Sequence, residues 1–489
     1  MTSPPRVRIA PSPTGTLHLG TARTALYNYL YARRHNGTFV LRLEDTDEER
    51  SREEYTQDIL HGLHWLGITW TEGPDVGGPF PPYKQTQKID HYNNIANQLI
   101  SKGLAYFAYD TPEELQKLKE QQDEAGQPIR YDNRHRKISE EDLKRFEAEG
   151  RVPTVRFRVE EPRVVSWHDA IKGEISVNTS DLGGDMVIVK SNGVAIYNFA
   201  VVVDDIDMKM THVIRGEDHI HNTAKQILIY EALGHDIPVF GHVPLMQDTE
   251  RHKLSKRRHG EAVHVDQYRK DGYMPEAMVN YLAQMSWSPG GDDASEFFTL
   301  EEAGKLFELD RISKSAAVFD VQKLNWFNKH YIMSLPLKEV TQRALPYMQS
   351  LGIDEYAPED LERLIGSVRN GLSRLCEITD AARFYFGKHT HITEELRERT
   401  LSTEKARQVL ERTLAEVPKL PWADAPGCKA AIDAIGKELG IKGKELYWPV
   451  RAALSGKTEG PDLGVMISVL GEERVKARLE SCLFLTKTA

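Results

Sequence analysis

Residues 10–20 read APSPTGTLHLG, and their reading decides the fold. The stretch joins a β-rich run, RVRIA at residues 6–10, to an amphipathic run whose apolar spacing predicts a helix over Leu19–Arg34. A strand, a tight turn and a helix start make a natural anion site. The first N–H groups of a helix lack internal partners, and the dipole places its positive end there. Gly15 and Gly20 let a ligand come close to the backbone. The usual phosphate-loop ending, a lysine followed by serine or threonine, is missing, and His18 stands in the turn instead. Alone, such a histidine reads as structural. Residues far downstream change its weight.

The alternation continues outward from this point. Residues 38–45, TFVLRLED, read as a second strand. Ser51 and Glu54 form a Ser-x-x-Glu capping box at the head of a helix that Gly67 closes. Strands alternating with helices predict a parallel sheet with right-handed crossovers. A Gly/Pro-rich loop at residues 72–83 breaks the pattern. Short strands and polar helices then fill residues 101–197, which read as an insertion. Within it Thr111 caps a helix with Pro112 at its first position, TVRFRV is a strand, and Asn192-Gly193 marks a hairpin. Strand, helix and strand resume with THVIRGEDH, NTAKQILIYEALG and VFGHVPLM. Beyond Gly260 the chain reads as almost entirely helical, and no period of 20 to 50 residues suggests a solenoid.

The totals fit this plan. A chain of 489 residues is too long for one core. Hydrophobic residues at 40% and charged residues at 28% fit a globular enzyme rather than a disordered chain. No apolar run approaches the roughly 20 residues needed to cross a bilayer, and the first residues lack a signal core. Cys376, Cys428 and Cys482 are few and widely spaced, which points to a reducing cytoplasm and no disulfide framework. A net charge of −10 argues against a general nucleic-acid coat but leaves room for a local basic face.

KLSKR, residues 253–257, offers two lysines flanking a serine in a polar loop. An isolated pair of this kind reads as a solvated basic turn. Beside a helix N-terminus holding His18, it reads as a pair of cations closing over a triphosphate. Two acidic features carry less. Asp45-x-Asp47 lacks the glycine and the distant glutamate of a calcium loop and reads as a solvated turn. Asp204 and Asp205 follow the apolar run FAVVV and read as structural groups at an element end.

The blocks APSPTGTLHLGTART, RLEDTDEERS, YNFAVVVDD, HVIRGEDH, KLSKR and FDVQKLNWFNKHYI occur in that order. Together they resemble class I aminoacyl-tRNA synthetases in the form of the glutamyl-tRNA synthetases. The resemblance covers essentially the whole chain. It implies a split Rossmann-like parallel α/β domain at 1–92 and 197–258 and an inserted α+β domain at 93–196 that holds the acceptor end of the RNA. A stem-contact helical domain follows at 259–330, and an all-helical anticodon-binding region at 331–489. It also implies a two-step reaction in which glutamate is activated with ATP and Mg²⁺ and then passed to tRNA(Glu), with no protein nucleophile. The other expectations are a cytoplasmic, monomeric protein with no membrane partner.

Site residues follow from the same resemblance. His18, Lys253 and Lys256 are the catalytic set, and Gly15, Gly20, Thr21 and Ser255 join them in the ATP site. Arg8, Ala10, Ser12, Glu44, Tyr197 and Arg215 line the glutamate pocket. Physical chemistry assigns roles within that set. Ligands of open α/β sheets bind at the carboxyl ends of strands. An arginine fork suits the side-chain carboxylate, so Arg215 with Arg8 is its expected reader. Glu44 is expected to hold the α-ammonium. Glutamine would leave an arginine charge unpaired, which is unfavourable. Tyr447, Trp448 and Arg451, in a lysine-bearing helix, are candidates for stacking on unpaired RNA bases. Many relatives carry Cys-x-Cys and Cys-x-His in the insertion, where this chain has YFAYD and DNRHRK. His135 alone cannot build a tetrahedral zinc site, so no structural metal is expected. A glutaminyl-tRNA synthetase, which usually ends in β-barrels, and an inactive RNA-binding paralogue are the competing readings. A truncated relative without an anticodon domain does not fit this length.

Overall fold

A computed structural model describes residues 3–47, 49–290 and 295–487. The chain opens as β1 (Arg6–Ile9), α1 (Leu19–Arg34), β2 (Thr38–Leu41), α2 (Glu53–Trp65) and α3 (Ile89–Ser101). Next come β3 (Ala105–Ala108), α4 (Pro112–Glu124), α5 (Glu140–Ala148), β4 (Thr154–Phe157), β5 (Val164–Asp169), β6 (Gly173–Asn178) and β7 (Met186–Val189). The α/β pattern then resumes with α6 (Tyr197–Asp207), β8 (His212–Gly216), α7 (Ile220–Leu233), β9 (Val239–Val243), β10 (Met246–Gln247) and a short α8 (Lys256–His259).

β1 pairs in parallel with β2, and β8 in parallel with β9. Thr211 N–H donates to the Arg6 carbonyl at 3.0 Å and joins the two pairs, although about 200 residues of chain separate them. The expected parallel α/β layer is thus present, assembled from both sides of the insertion. Its strands are shorter than the sequence suggests: β2 stops at Leu41, although the Arg42 and Glu44 N–H groups still donate to the Ile9 and Pro11 carbonyls at 3.0 and 3.1 Å. The insertion contributes an antiparallel sheet in the order β3-β4-β7 and a β5-β6 hairpin. Part of it shares a core with the α/β layer. Tyr92, Phe157, Val165 and Trp167 pack in one apolar cluster with Phe199, Ala224 and Phe240, and the expected start at residue 93 falls inside α3.

Local signals mostly act as read. α1 has the expected bounds, with His18 as its N-cap. Thr111 and Glu114 form a reciprocal capping box with Pro112 at the first position of α4. Asn192-Gly193 turns tightly, with Gly193 at φ 80°, but closes only a single bridge between Val189 and Ala195. The Ser51–Glu54 capping box is not made. Arg52 is the N-cap of α2, and the Ser51 hydroxyl has no partner. Ser51 is instead drawn into the preceding turn, where its N–H donates to the Asp47 carbonyl at 2.9 Å.

The chain divides into two compact units, residues 1–268 with 278–320, and residues 269–277 with 321–489. Between residues 264 and 320 lie α9 (Val265–Lys270), α10 (Pro275–Gln284), α11 (Leu300–Leu306) and β11 (Ala317–Val318). β11 pairs in parallel with β10, a small strand that the helical reading of this region missed. The second unit carries α12 (Val321–Ser334), which runs through the expected boundary at residue 330, α13 (Leu337–Met348), α14 (Pro358–Val368), α15 (Ile378–Ala382) and α16 (Glu394–Thr400). It ends in α17 (Glu404–Glu416), α18 (Ala425–Leu439), α19 (Lys444–Ser455) and α20 (Leu463–Lys487), the last broken at Gly471. Among the described residues of this unit no strand occurs, and no helix of the protein is long and apolar enough to cross a membrane.

Candidate active site

The carboxyl ends of β1, β2, β8 and β9 and the head of α1 surround one cavity of about 700 Å³ in the first unit. Its wall includes Arg8, Ala10, Ser12, His18, Gly20, Thr21, Glu44, Tyr197, Arg215, Lys253, Ser255 and Lys256. These are the residues singled out for ATP and glutamate, with one exception. Gly15 is not in the wall, and a side chain there would meet nothing within 4 Å.

At one end His18 caps α1: its Nδ1 accepts the Gly20 N–H at 3.0 Å. Burial, with His264 and Lys253 nearby, pushes its pKa down to about 4, so the ring is neutral. An accepting Nδ1 in a neutral imidazole puts the proton on Nε2. The residue is therefore a fixed hydrogen-bond donor at a helix N-terminus. Gly20 serves this arrangement, because a Cβ there would sit 3.3 Å from His18 Nδ1. Lys253 and Lys256 stand exposed on the other side. Lys253 Nζ lies 3.1 Å from Asp218, and Lys256 Nζ 4.0 Å from Glu261. KLSKR is only half a loop, since Lys256 opens α8. A turn built on Asp248 precedes it. That carboxylate takes the N–H groups of Glu250 and His252 and an ion pair from His259, and its pKa falls to about 2 despite some desolvation.

At the other end the charges are buried. Arg8, expected to read a carboxylate, gives the Nε–Nη2 edge of its guanidinium to Asp205 in two bonds of 3.1 Å. Arg42, on the segment after β2, reaches the same Asp205 at 2.7 Å and Glu44 at 3.3 Å. Asp204 faces away, toward Lys88 at 2.7 Å, Tyr92 at 2.9 Å and Gln85 at 2.8 Å. Asp204 and Asp205 are thus structural groups near the end of α6, as read: Asp205 pairs with Arg8 and Arg42, and Asp204 with Lys88 and, at 3.5 Å, Arg42. Burial pushes the Glu44 pKa up to about 7 against the pull of Arg42 and Arg8.

Arg215 and Arg23 are the buried cations of the wall with no carboxylate partner among the described residues; Arg23, 3% exposed, gives its Nη atoms to Ser286 Oγ and the Pro244 carbonyl. Arg215 is 5% exposed. Its Nη2 donates to Thr223 Oγ1 and Gln226 Oε1, each at 2.7 Å. Its Nη1 has only a 3.4 Å contact to Tyr197, and its Nε a 3.5 Å contact to His242. Burial lowers its pKa. A buried charge held by neutral groups alone is unfavourable unless a counter-ion arrives. Arg42, Thr223, Gln226 and His242 were not identified from sequence, and neither was the pairing of Asp205 with Arg8, because nothing local marks which groups the fold brings together across 8 to 197 residues.

The remaining candidates lie elsewhere. In the second unit the Tyr447 hydroxyl is bound to Asp433 at 2.7 Å, and Arg451 Nη1 donates to the Pro461 carbonyl at 2.5 Å. Trp448 carries Lys444 at 4.8 Å and Arg399 at 4.9 Å over its ring. In the insertion the Asp110 carboxylate accepts from Tyr131 at 2.7 Å and lies 3.1 Å from His135 Nδ1. The positions read against the zinc ligands of relatives thus make a hydrogen-bonded cluster.

Residues 5–326 match the family model described as tRNA synthetases class I (E and Q), catalytic domain, and residues 339–483 match an anticodon binding domain. Glutamate–tRNA ligase of Desulforamulus reducens is 45% identical over 483 residues, covering 98% of this chain and 99% of the relative. That of Bacillus subtilis is 44% identical, covering 97% and 99%. The crystal structure of a glutamate tRNA ligase from Elizabethkingia meningosepticum, in complex with its amino acid, superposes with a TM-score of 0.88 at 31% identity, covering 99% of both chains. The ordered motifs, the split parallel layer and the matches over both units agree: the chain belongs to the glutamate and glutamine branch of the class I tRNA synthetases.

Proposed function

We infer that this protein is a glutamate–tRNA ligase. It activates L-glutamate with ATP and transfers it to the 3′ end of tRNA(Glu). Arg215 carries the reading. It is a buried guanidinium without a carboxylate partner among the described residues, at the wall of a cavity whose other end holds a helix N-terminus and two lysines. The side-chain carboxylate of glutamate supplies the missing charge and meets the Nη1 edge. Glutamine would leave that charge uncompensated, so the glutaminyl reading is disfavoured. The helical second unit and the glutamate–tRNA ligases among the relatives point the same way.

In the first step an oxygen of the glutamate α-carboxylate attacks the α-phosphorus of ATP. A bond to the bridging oxygen breaks, and pyrophosphate leaves. In the second, a ribose hydroxyl of the terminal adenosine attacks the activated carbonyl, and AMP leaves with the bonding pair. The chain supplies position and charge rather than a nucleophile. Glu44 holds the α-ammonium. His18 donates from Nε2 to a phosphate oxygen beside the free N–H groups of α1. Lys253 and Lys256 neutralise the charge that grows on the leaving phosphates. Among the described residues that line the cavity, the one carboxylate at this end, Asp218, is engaged with Lys253. The wall therefore does not fit a resident Mg²⁺, and the metal belongs to the substrate as MgATP.

The test is aminoacylation of purified tRNA(Glu) and tRNA(Gln) with labelled glutamate or glutamine. Charging of tRNA(Glu) with glutamate and not with glutamine is expected. No glutamate charged to either tRNA would overturn the assignment.

A further inference from the structure

We propose that His242, oriented by Asp169, is a positioning residue that aims the Arg215 guanidinium at the substrate's side-chain carboxylate. The proposal rests on the reading of Arg215 given above.

The parallel register of β8 and β9 sets Arg215 beside His242. Phe240, two residues earlier on the same face of β9, lies under the guanidinium at 5.4 Å and stacks on the His242 ring at 6.1 Å. Asp169 comes from the insertion, at the end of β5. Its Oδ1 accepts the backbone N–H groups of Ile171, Lys172 and His242 at 2.9 to 3.1 Å. Its Oδ2 lies 2.5 Å from His242 Nδ1. Both side chains are fully buried.

Proton placement follows. An ionised carboxylate only accepts, so the shared proton sits on His242 Nδ1 and Nε2 is left as an acceptor. Burial keeps the ring neutral, and the His242 hydrogen bond holds the Asp169 pKa down against its burial. Nε2 faces the Thr223 hydroxyl at 2.9 Å and Arg215 Nε at 3.5 Å. The Thr223 hydroxyl has two acceptors in reach, Nε2 and, at 3.1 Å, the His219 carbonyl; given to Nε2, the nearer, its proton leaves the oxygen to accept Arg215 Nη2 at 2.7 Å. Gln226 takes the same Nη2, and its amide is fixed in turn by Asn198 at 3.0 Å. One side of the guanidinium is therefore engaged, and the Nη1 edge remains for a ligand. In the opposite tautomer an N–H would point at the Nε–H of Arg215 and push the fork away. A buried carboxylate fixing an imidazole that orients a functional group is a known device of polar sites.

Aminoacylation kinetics test this, with glutamate and ATP varied separately and glutamine as the competing amino acid. The variants are Thr223→Val, Thr223→Ser, Asp169→Asn, His242→Asn and His242→Gln in the full-length protein. Losing one orienting hydrogen bond shifts an equilibrium by about tenfold. Thr223→Val, Asp169→Asn and His242→Asn should each raise KM for glutamate by about that factor and lower the preference for glutamate over glutamine, with KM for ATP unchanged. Thr223→Ser keeps the hydroxyl, and His242→Gln keeps an acceptor where Nε2 stood, so both should recover much of the loss. Thr223→Val preserves volume and keeps the test alive if the β9 variants fail to fold. Equal losses for glutamate and ATP, or no rescue by serine, would overturn the proposal. Arg215→Gln is run beside them. If it raises KM for glutamate while the Thr223 and His242 variants do not, the positioning role falls and the Arg215 reading stands. If it changes nothing, both fall.

Discussion

Glu44 is an acid in the wrong place for a free enzyme and the right place for an ammonium. The gap between its ordinary pKa of 4.5 and about 7 in the fold corresponds to roughly 3 kcal/mol between its two protonation states. The folded protein binds this proton more tightly than the unfolded chain does. Glu44 therefore adds stability that is complete below pH 4.5 and is lost as pH rises through 7. Substrate reverses the preference, since an α-ammonium pairs only with the ionised form. Glutamate affinity should then fall with acidification, by up to about tenfold per pH unit below 7 and about thirty-fold between pH 8 and 5.5. Few other site groups titrate there. His18 and His219 are held at about 4 by burial, and the substrate's own carboxylate ionises near roughly 4.3. Calorimetric titration of glutamate at four pH values from 5.5 to 8 reads the slope. Glu44→Gln, a mimic of the protonated form, should bind weakly with a flat profile. Its melting temperature should gain on the wild type as pH rises from 5.5 to 8. A flat wild-type affinity, or the same slope in Glu44→Gln, would refute the reasoning.

Two further outcomes separate site from scaffold. Arg215→Gln removes a buried charge that has no carboxylate partner among the described residues, so the melting temperature of the free protein should hold or rise. kcat/KM for glutamate should fall by roughly 10²- to 10³-fold, as expected when the partner of a desolvated carboxylate is lost; a lower melting point with unchanged kinetics would contradict this. Lys256→Ala should reduce adenylate formation by about 10²-fold or more and leave tRNA affinity and melting temperature unchanged, because Lys256 is two-thirds exposed and its nearest acid is 4.0 Å away.

Much of the fold could be read along the chain. α1, with His18 at its head, depends on apolar spacing and a cap contained within a few residues. The Thr111 box is equally local. The Ser51 box failed because the turn at Asp47 competes for the same residues, which pattern alone does not weigh. The hairpin at Asn192-Gly193 kept its turn but not its strands, since pairing depends on what lies across it. The membership of the cavity was also largely legible, because strand ends in an open α/β layer converge on one place. Gly15 was the exception, a glycine of the loop rather than of the wall.

The sequence by itself determined the order of elements, the split of the α/β layer and the residue types gathered at its strand ends, since these follow from local periodicity, caps and motif order. Tertiary structure decided what each charge does. Arg8 and Arg215 look alike in the sequence, each an arginine on a short apolar strand. In the fold, α6 brings Asp205 against Arg8, and β9 brings a neutral His242 beside Arg215. One charge is cancelled and the other is left for a ligand. The physical reason is that charge compensation depends on distance through the folded core, and the partners lie from 27 to 197 residues apart along the chain.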